Sequence, residues 1–223
     1  MGAKSNRRQR FILQNPFCCF CGGTALTEEV DHIPSRVLFK GRQWPEGFEF
    51  PAGSKCNRAS ALDEQIVAML ALVTASTSDP LISEEVKARM QAVANNHPAV
   101  LQEMQPSLSQ LREAGRKYGI RPEPGQTHRD LPLLSVRGPP VNAAINNVAR
   151  KLACALFYRH TSTIIPGEAD FAVRWYSNLQ IGNNEIPREL ADILVNLTVS
   201  IKSWHYTHFF IFHMRNDGCK PTV

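Results

Sequence analysis

The apolar positions of this chain change period several times. Up to about residue 60 the apolar runs are short and are broken by turns such as Cys21-Gly22-Gly23 and Lys40-Gly41, a pattern that reads as a knuckle, a short strand, a loop and a second strand. The spacing then becomes helical, with Ile66, Met69, Leu70 and Val73 recurring on one face. A second helix is predicted around Ser83 to Asn95, with Glu84 and Glu85 in its first turn. A third runs from Pro106 to Tyr118, opened by proline and closed by Gly119. Residues 120–140 hold five prolines, each without a backbone donor, so this stretch reads as a linker. Beyond it, Ile145, Val148, Leu152 and Leu156 mark another amphipathic helix. FAVRWYSNLQI (171–181) reads as a strand, IPRELADILVNLTVSI (186–201) as a helix and HYTHFFIFH (205–213) as a strand.

The fold class that follows is α+β, with a small β-containing module, then helices, then a C-terminal mixed α/β region. The expected boundaries are 1–75 for the module with its basic arm, 76–119 for a helical segment, 120–140 for the linker and 141–223 for the C-terminal region. A chain of 223 residues with 43% hydrophobic content suits one substantial core or two modest domains, which excludes disorder throughout. The longest aliphatic run, Ile66 to Val73, is far shorter than the roughly 20 residues a membrane span needs, so no membrane partner is expected. The N-terminus, MGAKSNRRQRFILQNPF, has charges but no apolar core of secretory-signal length, and a cytoplasmic location is expected. A formal charge of +5 fits a polyanionic partner, and Lys4, Arg7, Arg8 and Arg10 form a basic arm.

Six cysteines in a chain of this length without an export signal point to metal or redox chemistry rather than disulfides. Cys18 and Cys21 have the spacing at which two thiolates bind one zinc ion from a tight turn, and Gly22-Gly23 lets the backbone fold back beneath them. Cys56 supplies a third thiolate in PAGSKCNR, but the position that a second CxxC requires is Gly53. A structural zinc site is tetrahedral. Three alternatives stay open: water as fourth ligand, a ligand remote in sequence, or loss of the zinc. Cys19 and Cys154 read as non-ligands, Cys154 as a small buried apolar residue.

The order CxxC, then Asp31-His32 followed closely by Pro34, then a degenerate CxxC ending in Asn57, resembles the zinc-containing HNH endonucleases, and most nearly the recombination endonuclease VII group. The resemblance covers residues 18 to about 65. It implies a zinc-knuckle ββα-metal module in which zinc, held by Cys18, Cys21 and Cys56, is scaffold and not catalyst. It further implies that Asp31 and Asn57 hold a catalytic Mg²⁺ or Mn²⁺, and that His32 is the general base removing a proton from the attacking water. Imidazole suits that task because its unperturbed pKa is about 6.5. Asp63 is the candidate for a further ligand on the helix after the asparagine. Ser60-Ala61-Leu62-Asp63 is also a capping pattern, and both readings of Asp63 stay open. The implied activity is hydrolysis of DNA, with RNA as the other substrate class, in a phage, restriction or antiphage setting. The alternative is a catalytically inactive zinc-knuckle protein that binds nucleic acid.

Overall fold

A computed structural model describes residues 3–39, 47–74, 80–188, 198–201 and 210–212. The chain divides into two compact units, Met1–Trp175 and Tyr176–Val223.

The first unit opens with helix α1 (Ala3–Gln14), so the basic arm is helical. A knuckle follows, closed by Cys18 N–H to the Ala25 carbonyl (2.9 Å) and Gly23 N–H to the Cys18 carbonyl (3.2 Å). Gly22 and Gly23 turn the chain at φ of 67° and 77°, the left-handed region that glycine enters without a Cβ penalty. Strand β1 (Glu29–His32) pairs antiparallel with β2 (Glu49–Ala52), in the register Glu29 opposite Ala52 and His32 opposite Glu49. The knuckle is stitched to this hairpin, since Cys19 N–H donates to the Pro51 carbonyl at 3.0 Å. Gly53 then caps the short helix α2 (Ser54–Ala59), which carries Cys56 and Asn57.

Helix α3 (Ala61–Thr74) contains the predicted Ile66–Val73 face. Helix α4 (Pro80–Asn96) extends the expected second helix at its start. The expected third helix is α6 (Leu108–Tyr118); Ser107 and Gln110 close a reciprocal capping box at its start and Gly119 sits left-handed at its end. Between these two lies α5 (Pro98–Glu103), a short helix the periodicity does not announce. The proline-rich segment carries no α-helix or strand over 120–138, only a 3-10 turn at His128–Asp130. It is nevertheless tied down: Ser135 N–H donates to the Met104 carbonyl at 2.8 Å, and Leu134 and Val136 pack against the core.

Helix α7 (Pro139–Thr161) is the longest described element, with prolines at its start where the missing N–H has no helical partner to lose. The apolar centre of this unit is built from Ile66, Met69, Val93, Val100, Met104, Val141 and Ala144, contributed by α3, α4, α5, α7 and the residue after α5. At its far end α7 holds the N-terminal module: Tyr158 donates to Asn15 Oδ1 at 2.6 Å, and the Arg159 guanidinium lies 4.0 Å from the centre of the Phe48 ring.

The C-terminal expectations need correction. Residues 171–177 are irregular, and the short helix α8 (Asn178–Gly182) follows, so 171–181 is not a strand. Ser177 and Gln180 form a local capping box there, which satisfies the first amides of a helical turn more directly than a strand partner could. Thr198–Ile201, the end of the expected 186–201 helix, is strand β3 instead. It pairs antiparallel with β4 (Phe210–Phe212), and cross-strand pairing overrides the helical spacing of this β-branched run. The strand expected over 205–213 is present at Phe210–Phe212; residues 189–197, 202–209 and 213–223 lie outside the described residues. Among the described residues, no helix is long and apolar enough to cross a membrane.

Candidate functional site

Three thiols meet where the knuckle faces the start of α2. The sulfurs of Cys18, Cys21 and Cys56 all lie within 4.8 Å of one another, and the group could hold a metal ion such as zinc. Two backbone amides point at these sulfurs, Phe20 N–H at Cys18 Sγ (3.4 Å) and Ala25 N–H at Cys21 Sγ (3.3 Å). Such donors stabilise negative charge on sulfur.

Burial opposes ionisation of Cys21, but hydrogen bonds from Thr24, Ala25 and the neighbouring thiols outweigh it and lower its pKa. Cys56 is pushed up to about 12, by burial first and then by the negative charge of Cys18 and Cys21 beside it. Three thiolates crowded together repel one another, and a cation among them relieves the repulsion. That donor chemistry fits a thiophilic ion. Gly53 lies against the same cluster: a Cβ built on it would stand 3.9 Å from the Cys18 Cβ.

Cys19 is buried, and burial raises its thiol far above the ordinary range; it takes no part in the cluster. Cys154, on the buried face of α7, is 4% exposed, as its apolar surroundings in the sequence suggest.

Asp31 and His32 end β1. The Asp31 carboxylate accepts the His32 backbone N–H at Oδ1 (2.7 Å), while Oδ2 lies 2.5 Å from the Lys151 ammonium. Oδ2 makes this contact as a buried ion pair. Burial raises the Asp31 pKa, and the adjacent lysine opposes the rise. The same ammonium touches Glu64 Oε1 (2.8 Å) and Ser60 Oγ (2.6 Å). Burial alone would depress the Lys151 pKa, but Asp31 and Glu64 outweigh it and hold the ammonium charged.

His32 takes the opposite course. Burial lowers its pKa and the Arg36 charge lowers it further, with Glu49 acting in the other direction, so the ring is held neutral. Its Nε2 contacts the Arg36 guanidinium. A guanidinium only donates, so Nε2 is the acceptor and the ring proton of this tautomer belongs on Nδ1.

Asn57 and Asp63, the other candidates, have partners of their own. The Asn57 amide donates to Glu29 Oε2 at 2.7 Å, which lowers the Glu29 pKa. Asp63 Oδ2 accepts from Asn147 on α7 at 2.9 Å. The Ser60 hydroxyl has a single proton to give, to Glu64 Oε1 at 2.8 Å or to the Asn57 carbonyl at 3.2 Å, and neither acceptor is Asp63. The structure therefore joins Cys18, Cys21 and Cys56, and it places Asp31 with Lys151 and Glu64, while Asn57 is held by Glu29.

Glu64 and Lys151 were missed by reading the sequence. Glu64 carried no signal beyond its place in the first turn of α3. Lys151 lies seven positions after Ala144 and four before Ala155, on the face of α7 that the structure buries, but off the Ile145–Val148–Leu152–Leu156 face that periodicity marks, so the sequence did not announce it. A lysine on such a face requires a buried partner. No protein-family model matches this sequence, and no curated protein or solved structure is similar enough to it to count as a match.

Proposed function

We propose that residues 1–75 form an HNH-type ββα-metal module and that the protein is a metal-dependent endonuclease hydrolysing phosphodiester bonds in DNA. The observation that carries this reading is the meeting of a three-cysteine cluster with a hairpin whose first strand ends in Asp31 and a neutral His32. The hairpin leads directly into α2, so strand, strand and helix follow in the order the module requires. Zinc on Cys18, Cys21 and Cys56 would be structural, tying the knuckle to α2. The small β1–β2 pair has little core of its own, and a metal staple is the usual compensation.

His32 is the base in this scheme. Its neutral ring carries the free lone pair on Nε2, where Arg36 now donates. A water replacing that guanidinium contact would give its proton to Nε2, and Arg36 would remain beside the phosphate as a positive charge. Asp31, kept in place by the His32 N–H, offers a hard oxygen ligand next to the base. Asp31 would hold a Mg²⁺ or Mn²⁺ there, which would supply positive charge to the phosphate oxygens. Helix α1, which packs beside β1 and carries Arg7, Arg8 and Arg10, offers cations for the DNA backbone.

The second reading, a catalytically inactive nucleic-acid-binding module, is favoured by the Lys151 ammonium on Asp31, which occupies the carboxylate with a protein cation. The experiment is plasmid cleavage by the zinc-loaded chain with Mg²⁺ or Mn²⁺, beside His32→Ala. Nicking or linearisation that falls by about a hundredfold or more in the variant is expected of a lost general base. Equal rates in both proteins, or DNA retained without cleavage, would leave the binding module as the function.

A further inference from the structure

The hairpin that carries the knuckle is apolar on both faces. Phe17 and Leu26 oppose each other across an antiparallel bridge, flanked by Cys18 N–H to the Ala25 carbonyl and Thr27 N–H to the Pro16 carbonyl, both 2.9 Å. Their neighbours along the chain, Cys18 and Thr27, are buried. Side chains alternate along a strand, so Phe17 and Leu26 stand together on the other face. That face is bare: Phe17 is 50% and Leu26 65% exposed, and Leu13, in the last turn of α1 four residues before Phe17, is 81% exposed.

Cations border this face. Helix α1 carries Arg7, Arg8 and Arg10 and no acidic residue. Arg8 Nη2 donates to the Glu28 carbonyl at 3.1 Å, which anchors the basic helix two residues beyond Leu26. Arg10 comes three residues before Leu13, and residues three apart are neighbours on a helix surface. Arg7 is shared with Glu49 at 3.3 Å and is still 76% exposed at the side chain. The acids beside Leu26 are engaged: Glu28 accepts the Ser54 N–H at 2.8 Å, and Glu29 accepts from Asn57 and pairs with Arg58. A polyanion complements such a border.

An exposed ring within a basic border is the chemistry of base stacking, in which the ring takes a base face and the cations follow the phosphates. Each base of a duplex already has its faces covered by its neighbours. Only an unpaired base offers one to Phe17. Phe17 and Leu26 lie side by side on a hairpin and make a platform, not a wedge of the kind that pries paired bases apart.

We propose that Phe17 and Leu26 form a stacking platform for unpaired bases of a DNA strand whose phosphates follow α1. The proposal rests on the reading of this chain as a protein that acts on DNA, and it names the form of the substrate as DNA with a single-stranded segment.

The test uses the zinc-loaded full chain without Mg²⁺ or Mn²⁺, so that DNA is bound and not cut. Fluorescence anisotropy compares an oligodeoxythymidylate of about 20 nucleotides, longer than the site of one binding module, with a duplex of the same length. The wild type should bind the single strand more tightly. Phe17→Ala should weaken that binding about fivefold or more, the worth of one base on an aromatic face, and should leave the duplex affinity unchanged. Leu26→Ser should act in the same direction, and Phe17→Tyr, which keeps the ring, should bind as the wild type does. Ultraviolet crosslinking of the oligodeoxythymidylate to the wild type, read by peptide mass spectrometry, should place the adduct on the peptide that holds Phe17.

Equal single-strand affinity in the wild type and Phe17→Ala, or a loss that falls equally on the duplex, overturns the proposal. A wild-type dimer that Leu26→Ser makes monomeric without changing DNA affinity also overturns it, since the face would then join two copies. Should Phe17→Ala fail to fold, the crosslink decides: adducts confined to other peptides overturn the platform. Single-strand binding lost in Phe17→Ala, with no cleavage of any DNA once Mg²⁺ or Mn²⁺ is added, would keep the platform and retire the nuclease. Cleavage that depends on His32 but is the same in Phe17→Ala on single-stranded and duplex DNA would retire the platform and keep the nuclease.

Discussion

A side chain at position 53 would meet the Ala25 Cβ and the Leu26 carbonyl at 3.3 Å and the Cys18 Cβ at 3.9 Å. The backbone there, φ −75° and ψ 145°, suits any residue, so glycine is not demanded by conformation. Two effects of Gly53→Cys therefore compete: a neighbour must give by a few tenths of an ångström, and a fourth thiolate joins a cluster of three. The thiolate wins if zinc is the occupant, because completing a tetrahedral site contributes folding energy directly. Gly53→Cys, purified under reducing conditions, should carry close to one zinc per chain and melt several degrees above the wild type. Gly53→Ala, which has the crowding without the ligand, should melt no higher than the wild type. Zinc content and melting curves on the three proteins check this, and a Cys variant no richer in zinc and no more stable would remove Gly53 from the account. The sequence exposed this position clearly, since the missing cysteine is a gap in a spacing pattern. It could not show that Cys18 is the nearest cysteine.

Among the elements, the knuckle shows most plainly why local signals sometimes suffice. Cys18, Cys21 and the glycine pair are read from six consecutive residues, and the turn they specify closes on itself through its own backbone bonds. Gly22 has a second constraint from outside the element, because a Cβ on it would fall 2.4 Å from the Gly167 backbone nitrogen. Left-handed backbone costs a non-glycine residue about 1–2 kcal/mol, and the Gly167 chain would have to move as well. Gly22→Ala should thus lower unfolding free energy by more than about 2 kcal/mol, combining these mechanisms of strain. Denaturant unfolding measures it, and a loss within about 0.5 kcal/mol, the range of ordinary surface changes, would mean that the 164–167 segment does not press on the knuckle. Helices α3, α4 and α6 were legible for a similar reason: periodicity and end signals lie within each helix. Residues 171–181 were not, since an alternating run such as FAVRWYSNLQI fits a strand only if a partner strand exists, and there the Ser177 capping box acts locally.

At the scale of the first compact unit, helices α3 and α7 do two jobs on opposite ends of one packing interface. Met69 on α3 and Val141 and Ala144 on α7 are fully buried in the same cluster, while Glu64 and Lys151 on these two helices meet at Asp31. The apolar cluster sets the separation of the helices, and the Asp31–Lys151–Glu64 contact inherits it. Met69→Ala should cost about 2–5 kcal/mol, the usual range for emptying a packed methionine site, and should be read as a fall in denaturation midpoint. A cost below about 1 kcal/mol would show that this cluster closes easily around the gap and does not set the spacing.

Composition, period and spacing along the chain were enough to determine the knuckle, helices α3, α4 and α6 and the basic character of the N-terminal segment, because each depends on residues close together in sequence. Which charges face one another was decided only in three dimensions. Asp31 and Lys151 are 120 positions apart, and Glu64 lies between them on another helix. Helical or strand period states which face a side chain is on, but not which distant face is packed against it. The strength of a buried charge contact depends on that second face, through distance and exclusion of water, and only the tertiary fold supplies both.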